Sequence, residues 1–151
     1  MQELVIINYD LRIMETAKVV YLGEIRTQAT HLRSGSKIIT DAPVDNHGKG
    51  EAFSPTDLLA TSLGTCMVTI MGISAETHGF NIDGTVIHVT KIMKENPRRV
   101  GEVIVDFDFR KTDYSEKERK LIWHAARTCP VMLSLHPDLV RTIRMNIAEP
   151  L

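Results

Sequence analysis

The chain has 151 residues, of which 43% are hydrophobic and 25% are charged. This composition is that of an ordinary globular protein and the length fits one domain, so we expect a single domain over residues 1–151. The formal net charge of -1 argues against electrostatic capture of nucleic acid or of an anionic membrane surface.

The N-terminal stretch, MQELVIINYD, has neither a basic region nor a small-residue cleavage site, so we recognise no secretory signal. The longest apolar-leaning run, residues 67–75, is too short to span a bilayer. We therefore expect a cytoplasmic protein, in which a reducing environment disfavours structural disulfides. The two cysteines, Cys66 and Cys129, are then either inert small residues or redox-active thiols.

The first half of the chain is predicted to begin with strands and a loop. Three segments are strand-like: VVYLGEI (19–25), TQATHLR (27–33) and SKIIT (36–40). Ser34-Gly35 supplies a turn before the last of them, and LVIIN (4–8) fits either a strand or a short helix. Residues 41–53 contain two glycines, a proline and several charges, so they are predicted to form a long loop of the kind that often carries function.

A long apolar helix is predicted from Ser54 to residues 78–79. Ser54 is a good N-cap, Pro55 suits the first helical position, and Asp57 falls at the third. Apolar residues occupy nearly every face, which is typical of a helix buried in a core or in an oligomer interface. Gly64 costs about 1 kcal/mol relative to alanine in such a helix, and this cost indicates close approach of another element.

The remaining elements complete an α+β fold. Strands are expected over residues 81–93 and 101–110, and the second alternates apolar and polar side chains as a half-buried antiparallel strand does. Ser115 and Glu118 form a capping box at the start of a second main helix, and a last strand is expected over residues 139–147. The order predicts a mostly antiparallel sheet with two main helices.

The two cysteines occupy different settings. Cys66 lies in the third turn of the apolar helix, where burial makes a thiol inert. Pro130 pushes Cys129 out of the helical region, and if Pro130 starts a short helix, the free N–H groups favour a thiolate at Cys129. Both residues have a plain packing interpretation, but packing of the two helices would bring the thiols together as in a peroxide-reducing site.

The segment GEAFSPTDLLATSLGTCMVTI, followed at a distance by TCPV, resembles the OsmC/Ohr superfamily of osmotically inducible and organic hydroperoxide resistance proteins. The resemblance covers most of the chain, from the strands near residue 19 to the final strand. It implies an OsmC-like α+β fold and an intertwined homodimer with two active sites at the interface. The spacing between the acidic residue at the start of the helix and Cys66 is closer to that of the broader OsmC-like branch than to that of the strict Ohr branch.

The resemblance also implies a mechanism. Cys66 would attack an organic hydroperoxide, Cys129 would resolve the product as a disulfide, and an external dithiol, of the lipoyl type in one branch, would restore both thiols. An arginine from the N-terminal strands would stabilise the thiolate, with Arg26 as the first candidate and Arg33 as the second. No bound cofactor is implied, and the six histidines and two cysteines show no metal-ligand spacing.

The carboxylate that orients this arginine is the weakest match. In the organic-hydroperoxide branch it lies ten positions before the cysteine, where this chain has Thr56. Asp57 lies nine positions before Cys66 and also suits the helix start, and Glu51 in the preceding loop is the substitute. This departure leaves the substrate preference open.

An apolar pocket near Cys66 is predicted to accept the organic part of the substrate, with Met67, Met71 and Phe53 in its wall. The resulting function is a peroxidase in oxidative-stress defence. Two other functions stay open: a dimeric protein that binds an apolar ligand, and a thiol redox sensor that oxidises without efficient turnover.

Overall fold

A computed structural model describes residues 14–151, which fall into two compact units. The first ends at Pro55, and the second runs from Thr56 to Leu151. The expectation of one domain over residues 1–151 stays a prediction. The segment 4–8, for which a strand or a short helix was expected, lies outside the described residues.

The first unit contains a three-stranded antiparallel sheet in the order β1-β2-β3. Its strands are β1 (Ala17–Gly23), β2 (Arg26–His31) and β3 (Lys37–Asp41). β1 ends two residues earlier than expected because Gly23 and Ile25 adopt positive φ angles of 84° and 59°, which turn the chain into β2. The predicted turn at Ser34-Gly35 joins β2 to β3, with φ of 74° at Gly35.

The loop after β3 is folded against the same unit. It contains one short 3-10 turn, Val44–Asn46. A Cβ added at Gly48 would lie 1.6 Å from the carbonyl oxygen of Ala42, so only glycine fits this contact. The loop returns to the sheet where the Asp41 N–H donates to the Phe53 carbonyl at 3.2 Å. The predicted loop is therefore an ordered segment that brings its two ends together.

The second unit packs helices on a three-stranded sheet in the order β4-β5-β6. Its helices are α1 (Pro55–His78, whose first residue closes the first unit), α2 (Glu116–Thr128) and α3 (Pro130–Ser134), and its strands are β4 (Val86–Lys94), β5 (Arg99–Asp108) and β6 (Val140–Met145). β4 pairs antiparallel with β5, whereas β5 and β6 are parallel. Among the strand pairings of residues 14–151, only this last one departs from the expected antiparallel arrangement.

The core of the second unit lies between α1, β5 and α2. Leu63 and Met67 of α1 are fully buried, as is Ile122 of α2. The predicted alternation of β5 is confirmed, because Val103 and Val105 are fully buried while the intervening residues are not. Burial of these apolar side chains is the main favourable term in the folding of this unit.

The long helix has the ends that the sequence predicts. α1 begins directly after Ser54 and ends before Gly79, whose φ is 75°. By length and composition alone, the whole of α1 could cross a membrane. The run at 67–75, which the sequence analysis takes as too short to do so, is only part of this helix. The same criterion is met by core helices of soluble proteins, and α1 contributes Leu63, Met67 and Met71 to the core.

The second main helix begins and ends at the predicted signals. The Ser115 hydroxyl accepts from the Glu118 N–H at 3.2 Å, and the Glu118 carboxylate accepts from the Ser115 N–H at 2.7 Å, which completes the capping box. Cys129 adopts an extended conformation between α2 and α3, and Pro130 is the first residue of α3. This junction fixes the position of the second cysteine.

Candidate active site

The position of Cys66 follows from the packing of α1 on the sheet. A Cβ added at Gly64 would lie 2.9 Å from Val89 Cγ2 and 3.3 Å from Ile87 Cγ2, so the missing side chain lets β4 approach the helix. Two helical residues span about 200°, so Cys66 points away from this contact. Its thiol is accordingly half-buried rather than sealed under the sheet.

Cys129 lies in the core of the second unit, with no exposed surface. As the N-cap of α3, its sulfur accepts a hydrogen bond from the Met132 N–H at 3.4 Å. Both thiols are free. The structure therefore contrasts an accessible cysteine with an enclosed one.

The two thiols are neighbours. Burial raises the pKa of the Cys129 thiol, the hydrogen bond from Met132 lowers it, and the adjacent Cys66 thiol raises it again through a hydrogen bond and charge repulsion. The N–H groups act in the direction predicted for a helix N-terminus, but burial outweighs them, so Cys129 is held as a neutral thiol. The packing of α1 against α2 thus brings together two cysteines that are 63 positions apart.

The first unit holds Arg26 between two carboxylates. Its Nε donates to Asp41 Oδ1 at 2.6 Å, and its Nη2 donates to Asp41 Oδ2 at 2.9 Å and to Glu51 Oε2 at 2.8 Å. The hydrogen bonds to Asp41 and then to Glu51 raise the pKa of Arg26. In turn, Arg26 holds the pKa of Asp41 below its ordinary value, so that carboxylate is ionised at neutral pH.

Asp57 has a different cation as its partner. Its Oδ1 lies 2.7 Å from Lys91 Nζ, and the same ammonium donates to Thr56 Oγ1 at 2.9 Å. The Lys91 side chain is 16% exposed and that of Asp57 is 40% exposed, so water still reaches the carboxylate side of the pair. Whether Asp57 orients the active-site arginine stays a prediction, and so does the same role for Glu51, which contacts Arg26.

The remaining predicted site residues belong to different elements and differ in exposure. Met67 and Met71 are fully buried in the core of the second unit, whereas Phe53 in the first unit is 55% exposed. Arg33, the second arginine candidate, is exposed in the turn between β2 and β3. Their roles in a substrate pocket or in catalysis stay predictions. Within residues 14–151, no group of three or more histidine, cysteine or acidic residues has the geometry of a metal site.

Two charged residues at these clusters were missed by the sequence analysis. Asp41 was assigned to the loop, yet it pairs with Arg26 across β2 and β3, a register that the turn at Ser34-Gly35 already implies. Lys91 stands on the inward face of β4, in phase with Ile87 and Val89, and a lysine among apolar residues on such a face signals an ion pair. Hairpin register was the available signal for Asp41, and strand alternation was the available signal for Lys91.

Comparison with known proteins identifies the family and the fold of the chain. The sequence profile of the family described as OsmC-like protein matches residues 48–143. A crystal structure from Psychrobacter arcticus, assigned provisionally as an osmotic stress induced and detoxification response protein, is 52% identical over 88% of this chain and 96% of its own, with a TM-score of 0.84. No curated protein sequence matches the chain significantly.

More distant structures share the fold. An OsmC-like protein from Mycoplasma pneumoniae is 17% identical over 90% of this chain and 99% of its own, with a TM-score of 0.72. An organic hydroperoxide resistance protein OsmC from Legionella pneumophila is 14% identical over 87% and 97%, with a TM-score of 0.67.

Proposed function

Because the chain belongs to the family of OsmC-like proteins, we propose that it is a thiol-dependent peroxidase that reduces organic hydroperoxides. The observation that carries the proposal is that a half-buried Cys66 packs against the same core that encloses a fully buried Cys129, so the two thiols are neighbours. A reactive thiol beside a resolving thiol is an arrangement suited to peroxide reduction. The Legionella protein with the same fold bears the name of an organic hydroperoxide resistance protein, which indicates the substrate class to test.

The unequal environments of the two thiols support the roles that we propose for them. Cys66 is accessible to a peroxide, and its thiolate attacks one oxygen of the O–O bond. That bond breaks, the sulfur is oxidised to a sulfenic acid, and the other oxygen leaves as an alkoxide that takes a proton to become the alcohol. Cys129 is enclosed and its pKa is raised, so it is the poorer nucleophile in this first step.

The second step uses the contact between the thiols. The Cys129 sulfur attacks the Cys66 sulfenic acid, the S–S bond forms, and the hydroxyl leaves as water. An external dithiol then reduces the disulfide by thiol–disulfide exchange and becomes a disulfide itself. Each cycle therefore consumes one hydroperoxide and one dithiol, and it needs no metal or bound cofactor.

Arg26 is proposed as the cation that stabilises the Cys66 thiolate and the departing oxygen. A guanidinium suits this role because it stays charged and presents several donors in a fixed plane. The two carboxylates that hold Arg26 would orient it. Asp57, which pairs with Lys91, would instead secure the start of α1.

The same proposal includes a homodimer. β1 exposes Val19 and Tyr21 on one face and Val20 and Leu22 on the other among the described residues. Apolar side chains on both faces indicate a partner, and we propose a second copy of this chain. Sedimentation velocity is expected to show a species of twice the 17.0 kDa chain mass, and a single 17.0 kDa species would contradict the dimer.

The chemistry is tested by a single-turnover experiment. One equivalent of tert-butyl hydroperoxide added to the reduced protein is expected to produce a Cys66–Cys129 disulfide within seconds, because the two thiols are neighbours in one core. The thiols are mapped by mass spectrometry after rapid alkylation. Hydrogen peroxide serves as the comparison, and slower oxidation by it would support an organic substrate.

Each result of that experiment has a defined meaning. Thiols that both stay free would overturn the peroxidase proposal and favour a protein that binds an apolar ligand. Rapid disulfide formation that dihydrolipoamide or another dithiol fails to reverse would favour a redox sensor. A disulfide that forms rapidly and is reduced rapidly by dihydrolipoamide would support catalytic turnover.

A further inference from the structure

The guanidinium of Arg26 is held along one edge. Asp41 accepts from Nε and Nη2 in a bidentate arrangement, and Glu51 accepts from Nη2 as well. Bidentate pairs of this kind fix the plane of the guanidinium as well as its position. All three hydrogen bonds therefore use the Nε/Nη2 edge.

The Nη1 end of the guanidinium makes none of these three hydrogen bonds. Within residues 14–151, no acceptor is hydrogen-bonded to Arg26 Nη1. The Arg26 side chain as a whole is 29% exposed, so it is not sealed from solvent. A thiolate or a peroxide oxygen is an acceptor of the kind that such donors would bind.

The two carboxylates are not equivalent. The Asp41 side chain is 1% exposed, whereas that of Glu51 is 66% exposed. Asp41 Oδ2 also accepts the Glu51 N–H at 3.1 Å, and the Asp41 N–H donates to the Phe53 carbonyl. Asp41 is thus fixed by the sheet and by the loop, while Glu51 reaches Arg26 from the surface.

We infer that Asp41 is a positioning residue, the buried anchor that holds the Nε/Nη2 edge of Arg26 and leaves Nη1 as the donor for the reacting groups. This inference rests on the proposed function, because it takes Arg26 as the cation of the peroxidase site. Asp41 acts only through Arg26, and Glu51 supports the same orientation from solvent. The anchoring carboxylate thus comes from the end of β3 rather than from the first turn of α1.

The inference is tested by a double-mutant cycle on the rate of Cys66 oxidation by tert-butyl hydroperoxide, with Asp41→Asn, Arg26→Gln and the double variant. Asp41→Asn is expected to slow oxidation by about 10- to 100-fold, since misplacement of a catalytic group by an ångström has effects of this size. In the Arg26→Gln background, the same change is expected to have no further effect. Glu24→Gln is the matched control, because Glu24 is a carboxylate of the same unit that pairs with Lys49, and its rate is expected to stay unchanged.

A second variant separates positioning from packing. Asp41→Glu keeps the carboxylate but is larger, whereas Asp41→Asn keeps the size and loses the charge. If Asp41 positions Arg26, the glutamate variant reacts faster than the asparagine variant; if Asp41 only fills space in the fold, the order is reversed and the inference is overturned.

The two proposals fail in different ways. An Arg26→Gln variant with the parental rate would overturn the assigned role of Arg26, and the positioning role of Asp41 with it. A slow Arg26→Gln variant combined with a parental rate for Asp41→Asn would overturn the role of Asp41 alone. Equal slowing by Asp41→Asn in both backgrounds would also reject positioning, because it would show an effect that does not pass through Arg26.

Discussion

Serine in place of Cys66 is expected to abolish hydroperoxide reduction, with a loss of turnover on the order of 10³-fold or more. The change replaces one sulfur by one oxygen, so the packing of α1 is nearly preserved. A serine hydroxyl is not ionised at neutral pH and is a much weaker nucleophile toward a peroxide O–O bond. The measurement is consumption of tert-butyl hydroperoxide with dihydrolipoamide as the reductant.

The matched control is Cys129→Ser, the same change at the other thiol. This variant is expected to reduce about one equivalent of hydroperoxide and then to stop as the Cys66 sulfenic acid, which dimedone would trap. Retention of turnover by Cys66→Ser would contradict the proposed roles. So would a Cys129→Ser variant whose first oxidation is as slow as that of Cys66→Ser.

Alanine at Gly64 is expected to destabilise the protein by about 1 kcal/mol, although helix propensity alone would stabilise it by a similar amount. The added methyl group would meet Val89 Cγ2 at 2.9 Å, and valine has little rotamer freedom with which to move away. Overpacking of a core contact costs about 1–3 kcal/mol, which exceeds the gain. The measurement is the urea midpoint at a fixed chain concentration, since a dimer's stability depends on concentration.

Gly72→Ala in the same helix is the matched control. A Cβ at Gly72 would have no neighbour within 4 Å in the described part of the chain, so the propensity gain is unopposed. We expect this variant to be more stable by about 0.5–1 kcal/mol. Stabilisation of the same size by both variants would show that β4 does not press on α1 at Gly64.

Local signals in the sequence predicted most of the elements. Ser54 and Pro55 marked the start of α1, and Ser115 with Glu118 marked the start of α2, because capping depends on residues within one turn of each other. The alternation in β5 identified its buried face for the same reason. The parallel pairing of β6 was not predicted, since strand direction depends on where the chain crosses the sheet and leaves no local pattern.

The same contrast between local and long-range interactions applies to the candidate site. The sequence identified Cys66, Cys129 and Arg26 as candidates, partly through a family resemblance. It named Glu51, which contacts Arg26, only as a substitute and did not identify Asp41, because a carboxylate contact across 15 or 25 positions is set by sheet register and loop path. The spacing of Asp57 before Cys66 made it a candidate, and the structure adds that Asp57 pairs with Lys91, a contact that the sequence did not indicate.

By itself, the sequence determined the class of fold, the ends of the main helices and the N-cap position of Cys129, all of which follow from interactions between residues close in the chain. Only the tertiary structure decided that Cys66 meets Cys129, that burial outweighs the N–H groups in setting the Cys129 pKa, and that Asp41 holds Arg26. These properties depend on distance and solvent exclusion between distant segments. Both quantities exist only once the chain has packed.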